Sequence, residues 1–154
     1  MQTRDEIGYR LALAEGFLRE AEQDLKLQRW RSCVDNAQLV VENAGKALLA
    51  LFGVTPKTHD PAREIAAILR SQTLPDVIEQ ELRRILPDLL TLGTAEHYLT
   101  DYGDEATYTL PWDLFKAESA ETALVAARRT LQSAQETMAA IQAWQGQNKP
   151  DNES

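Results

Sequence analysis

At 154 residues, with 44% hydrophobic and 26% charged side chains, the chain is of a size to bury one core without disulfide or metal staples. Its 24 acidic residues against 16 basic leave a net charge of −8, which repels phosphate backbones and argues against DNA or indiscriminate RNA binding unless a local basic patch outweighs it. The single Cys33 excludes an intramolecular disulfide and a Cys-rich zinc site, the start MQTRDEIGYR lacks a basic segment followed by an apolar one, and no run reaches the roughly 18 apolar residues of a membrane span, so a soluble cytoplasmic protein is expected.

From Asp5 to Leu27, the residues Ile7, Leu11, Ala14, Leu18, Ala21 and Leu25 recur at helical steps with Phe17 beside them, which predicts a first helix. A short turn over Gln28 to Arg31 leads into a second. There Cys33, Ala37, Val40, Ala44, Ala47, Leu48 and Leu51 form one apolar face, which makes Cys33 a core residue. The opposite side is polar: Asp35, Gln38, Glu42 and Lys46 follow the same steps, with Asn36 and Asn43 beside them. Gly53 can take the left-handed conformation that ends a helix, and Pro56 follows, so the second helix stops near Phe52.

Asp60-Pro61 supplies a capping side chain and a proline at the first helical position of a third helix, whose apolar face is Ile65, Ile68 and Leu69 and which ends near Ser71. Pro75 opens a fourth segment through Leu92, in which Pro87 is expected to kink or divide the helix. Gly93 to Pro111 is the longest irregular stretch and holds His97, Tyr98, Tyr102 and Tyr108 among the acids Glu96, Asp101, Asp104 and Glu105. From Trp112 or Asp113 to about Trp144 a last helix carries Ala117, Ala120, Leu124, Ala127, Leu131, Ala134, Met138 and Ile141 at helical steps, its alanines permitting close contacts. Residues 1–145 read as a single domain and 146–154 as a disordered polar tail. No strand pattern or internal repeat interrupts this series, so the expected fold is all-α, an up-and-down bundle of four to five helices.

The stretch QLVVENAGKALLALFGVTPKTHD resembles the HEPN domains (higher eukaryotes and prokaryotes nucleotide-binding), in particular their stand-alone prokaryotic branch. Glu42 and Lys46 four apart, then Gly53, Pro56 and the Thr58-His59-Asp60 opening of the next helix, carry the resemblance, and His97-Tyr98 through Asp104 adds a weaker echo. The resemblance implies a homodimer, a nucleotide or RNA ligand, and a small nucleotidyltransferase as partner in a toxin–antitoxin-like pair. Nuclease members of that family carry Arg-x4-6-His and cleave RNA without metal, using His and Arg paired across a dimer. Here Leu51 to Val54 precede His59, and Leu90, Thr91 and Leu92 precede His97, so the spacing is missing. A binding or accessory subunit is therefore expected in place of an RNase.

Should the polar band face a cleft or a partner, Asp35, Asn36, Glu42, Asn43 and Lys46 become nucleotide-binding candidates, with Lys46 at a phosphate and Asn43 at a base or ribose. His59 joins them at the positive end of the third helix. Against this, Glu42 and Lys46 stand in the orientation of a structural ion pair, and Thr58, His59 and Asp60 suit turn and capping roles. His97, with Glu96, Asp101 and Tyr98, is the one catalytic candidate, although a partly exposed His bonded to a neighbouring acid is the commoner outcome. The enzymatic alternative is a divergent metal-independent RNase pairing His97 with Arg83 or Arg84, which otherwise read, like Arg128-Arg129, as solvated helix faces. There is no Glu-x-x-His pair, Gly-rich phosphate loop, nucleophile elbow or Cys-x-x-Cys, so neither metal nor cofactor is expected. Trp30, Trp112 and Trp144 are candidate dimer-face aromatics, burial within the monomer being the alternative.

Overall fold

A computed structural model describes residues 2–54, 61–92 and 100–147. Helix α1 spans Gln2–Lys26 and α2 spans Trp30–Leu51, and the two form an antiparallel hairpin. Their connection is tight because Gln28 adopts a left-handed φ of 58°, letting its amide bond the Leu25 carbonyl at 3.2 Å and the Arg29 amide bond that of Asp24 at 2.8 Å. The far end of α2 repeats this device. Gly53, at φ 74°, donates to Ala50 and Val54 donates to Leu49, both at 3.1 Å, so the helix stops where the glycine predicts.

Helix α3 (Pro61–Ser71) buries Ala62, Ile65 and Ile68, and α4 (Asp76–Thr91) buries Ile78, Leu82, Ile85 and Leu89. Pro87 lies inside α4, which runs on undivided through it, so of the two expected outcomes, a kink or a division, the division does not occur. The proline falls in the last turns, where the amide it lacks would have served the carbonyl of exposed Arg83, a group that water can satisfy. A single turn, α5 (Pro111–Leu114), precedes the long α6 (Ala117–Gln147). The remainder of the expected polar tail, beyond Gln147, lies outside the described residues.

The core sits on α2, which packs against α1, α3, α4, α5 and α6. From Val40 to Ala50 every residue of α2 is buried, so this helix has no solvent face over its second half. Helix α6 lays a ladder of small residues on it, including Ala120, Ala123, Ala127 and Ala134, and its buried hydroxyls are satisfied locally: Thr130 and Thr137 donate to the carbonyls of Ala126 and Ser133 at 2.8 and 2.7 Å. No strand forms among the described residues; the nearest thing is an isolated antiparallel bridge between Asp104 and Thr109. The architecture is all-α. Among the described residues, no helix is long and apolar enough to cross a membrane.

Candidate functional site

The polar positions of α2 do not form one solvated band. Because the helix is central, Gln38, Glu42, Asn43 and Lys46 are buried, each with 9% or less of its surface exposed. Groups that lose water this way must find partners inside the protein. Apart from Gln38 Nε2, they do so in three clusters.

The first lies in the α1–α2 seam. Asp24, buried near the end of α1, accepts from the Ser32 hydroxyl at 2.7 Å and from the Asn36 amide at 2.8 Å, with Arg29 at 4.0 Å. Further along the same seam, Arg10 donates to Asn43 at 3.3 Å and Asn43 donates to its own helix at the Leu39 carbonyl, 2.8 Å away. Asn36 and Asn43 thus fasten α1 to α2.

The second cluster forms on another face of α2. The Thr100 hydroxyl donates to Asp35 at 3.1 Å, and Gln38 Oε1 lies 3.5 Å from it. Arg31, one turn before Asp35, donates to the Thr100 carbonyl at 2.9 Å and holds its guanidinium 5.7 Å from the centre of the Trp112 ring. Gln38 Nε2 is fully buried and makes no hydrogen bond. In the third cluster, Glu42 and Lys46 close an ion pair at 3.0 Å, with 8% and 11% of their side chains exposed. The ammonium is therefore matched by a carboxylate on the same helix, and the pair carries no net charge toward an incoming phosphate.

Of the six nucleotide-binding candidates, Asp35, Glu42 and Lys46 share one face of α2, Asn36 and Asn43 turn to α1, and His59 lies outside the described residues, as does the catalytic candidate His97. Arg83 and Arg84 are exposed and bond Glu79 and Glu81 of their own helix at 2.9 and 3.5 Å, as solvated faces do. Of the three tryptophans, Trp112 is 66% exposed, while Trp30 and Trp144 pack partly buried against the core. An open cleft between α2, α4 and the start of α6, lined by Val34, Leu92, Phe115 and Ser119, includes none of the candidates. No group of three His, Cys, Asp or Glu side chains is placed to hold a metal ion among the described residues.

Three participants escaped the reading of the sequence. Arg31 stands one helical turn before Asp35 in the register of the ladder, a signal that was available. Thr100 meets Asp35 across 65 positions, and Asp24 meets Asn36 from the other helix of the hairpin, contacts that no local pattern reveals. Cys33 is buried and its thiol lies 3.7 Å from the Ala120 carbonyl; burial, with help from the Asp24 carboxylate and against the pull of Arg128, pushes its pKa up to about 11. Such a thiol is a core group and a poor nucleophile at neutral pH.

Comparison with known proteins agrees with this architecture. No curated protein matches the chain. Among solved structures, the crystal structure of TT1696 from Thermus thermophilus superposes with a TM-score of 0.60 at 20% identity, covering 88% of this chain and 98% of that one, a likeness of fold. The family model of the HEPN domain matches residues 8–137, from α1 to the last third of α6, and the chain belongs to the HEPN domain family.

Proposed function

We propose that the chain is a homodimeric, cytoplasmic accessory subunit that works by binding, alongside a nucleotidyltransferase partner in a toxin–antitoxin-like pair. The observation that carries this reading is the internal commitment of the α2 polar groups. Lys46, the cation best placed to meet a phosphate, is held 3.0 Å from Glu42, and Asp35 is engaged by Thr100 at 3.1 Å. An acid–base centre needs a proton-transfer group beside a cation free to stabilise a scissile phosphate. At Lys46 the cation is already paired with its neighbour Glu42. The family match supports the general class, and the sequence, which lacks Arg-x4-6-His ahead of His59 and His97, supports the non-nuclease branch of it.

Nucleotide binding belongs to the same proposal. With Lys46 paired to Glu42 and Asn43 bonded to Arg10, the likeness to the HEPN family is what supports it. Native mass spectrometry of gently purified protein tests the whole reading in one spectrum. A dimer retaining a nucleotide or a nucleotidyltransferase is the expected result. A bare monomer overturns it, and so does metal-independent RNA cleavage that vanishes in His97→Ala.

A further inference from the structure

Large apolar side chains stand exposed singly along the helices at Tyr9, Leu27, Val77, Leu90 and Val125, and in one place they gather. Tyr102, Tyr108, Leu110 and Trp112 are exposed by 63%, 91%, 57% and 66%, all within one short stretch of chain between Thr100 and α5. This stretch is not loose. The amides and carbonyls of Asp104 and Thr109 exchange two hydrogen bonds of 2.9 Å, the Thr107 and Thr109 hydroxyls bond at 2.7 Å, and the Ala106 amide bonds Asp104 Oδ1 at 3.0 Å. Gly103, at φ 72°, lets the chain fold back so closely that a Cβ there would lie 3.0 Å from Pro111. At its base, Thr100 is tied to Asp35 and Arg31 of α2. Tyr108 occupies a left-handed conformation, φ 56°, that glycine or asparagine adopts with least strain, and it projects an aromatic ring into water there.

The charge on this stretch selects its occupant. Residues 101–113 contain Asp101, Asp104, Glu105 and Asp113 and no lysine or arginine, so a nucleic acid would meet aromatic rings behind a fence of carboxylates. A cationic protein segment meets the opposite. Its arginines or lysines find rings to stack on and carboxylates to pair with, and the chain's own Arg31, seated 5.7 Å over Trp112, displays that mode of contact. The rigid backbone means that little ordering entropy is lost on docking.

We propose that the turn over residues 101–113 is the docking surface for a basic segment of the partner protein, whose cationic side chains stack on Tyr108 and Trp112 and pair with Asp101, Glu105 and Asp113. This rests on the accessory-subunit reading and names the surface and the charge of the partner it requires. The test is an amide NMR titration of the full chain with hexa-arginine amide at physiological salt, with hexauridylate as the nucleic-acid control. Shifts concentrated in residues 101–113, with affinity weakened roughly two- to fivefold in Tyr108→Gly, are expected. Because Tyr108→Gly relieves the left-handed strain, its melting temperature should equal or exceed that of the parent, so lost binding cannot be blamed on unfolding. Shifts spread evenly over the acids of α1 and α6, no saturable binding, binding indifferent to Tyr108→Gly, or preferential binding of hexauridylate at this turn would each overturn the proposal. Failure here leaves dimerisation and nucleotide retention, read separately in the native mass spectrum, untouched.

Discussion

Gly45 sits in the buried half of α2, and a Cβ built on it would lie 2.7 Å from Pro61 Cβ, 3.1 Å from Pro61 Cγ and 3.0 Å from Leu89 Cδ2. On helix propensity alone, Gly45→Ala should stabilise the protein by about 1 kcal/mol. Packing works against it. Pro61 is a ring of fixed shape at the first position of α3, buried and backed by Ala62 at 1% exposure, so it cannot swing aside as the end of a flexible side chain would. Leu89, 2% exposed, has room to change rotamer only by disturbing α4. Overpacking costs about 1–3 kcal/mol, and a 2.7 Å approach to a rigid ring belongs to the upper part, about 2–3 kcal/mol, so the net result expected for Gly45→Ala is a loss of about 1–2 kcal/mol. For a chain of this size that lowers the melting temperature by roughly 2–8 °C. Circular dichroism at 222 nm, in thermal and urea unfolding, measures it. Gly8→Ala and Gly16→Ala supply the contrast, since a Cβ meets nothing within 4 Å at the first and only the end of Arg19 at 3.9 Å at the second; each should stabilise by roughly 0.5–1 kcal/mol. A Gly45→Ala protein as stable as its parent would refute the close α2–α3 approach on which the reasoning depends.

Two further outcomes follow from the buried polar groups. Glu42→Gln removes the carboxylate from a Lys46 ammonium whose side chain is only 11% exposed, and should destabilise by roughly 2–4 kcal/mol in urea titration; Glu42→Gln with Lys46→Met should recover part of that loss, and a double mutant as impaired as the sum of its singles would count against the pair. Cys33 gives a pH signature: with its folded pKa raised to about 11 from an ordinary value of 9.0, both states are protonated below about pH 8.5 and its contribution is fully present there. As pH climbs from 9 to 11 the unfolded thiol ionises while the folded one stays neutral, so stability falls, by up to about 3 kcal/mol, and Cys33→Ala should flatten that part of the profile. An equally steep decline in Cys33→Ala would assign the alkaline loss to other groups.

Helical period and punctuation made most of the fold legible. The apolar faces of all the long helices, the stop at Gly53 and the proline opening of α3 could be read locally, since each depends on residues within a turn or two of one another. Pro87 left two outcomes open, a kink or a division, because its effect depends on position within α4, and in the last turns the helix continues through it. The site was less legible for a related reason. Spacing shows which side chains share a face of α2; it does not show what stands opposite. Asn36 and Asn43, beside Glu42 on a helical wheel, face Asp24 and Arg10 of α1, and Asp35 faces Thr100 from far along the chain.

An amphipathic pattern is ordinarily read as one apolar face in and one polar face out, and that assumes a helix at the edge of its fold. Helix α2 is at the centre, touched on several sides, so its polar residues become internal clamps that bond within the helix or to neighbouring elements. The side chains left at the surface are then those of the segment that the ladder holds. Arg31 and Asp35 grip Thr100, and immediately beyond Thr100 the chain makes the turn that carries Tyr108 and Trp112 into solvent. The buried ladder and the exposed aromatic turn are thus two ends of one arrangement. Polar groups chosen for a low-dielectric interior tie a short segment to α2, and that segment holds strained, exposed aromatics in place.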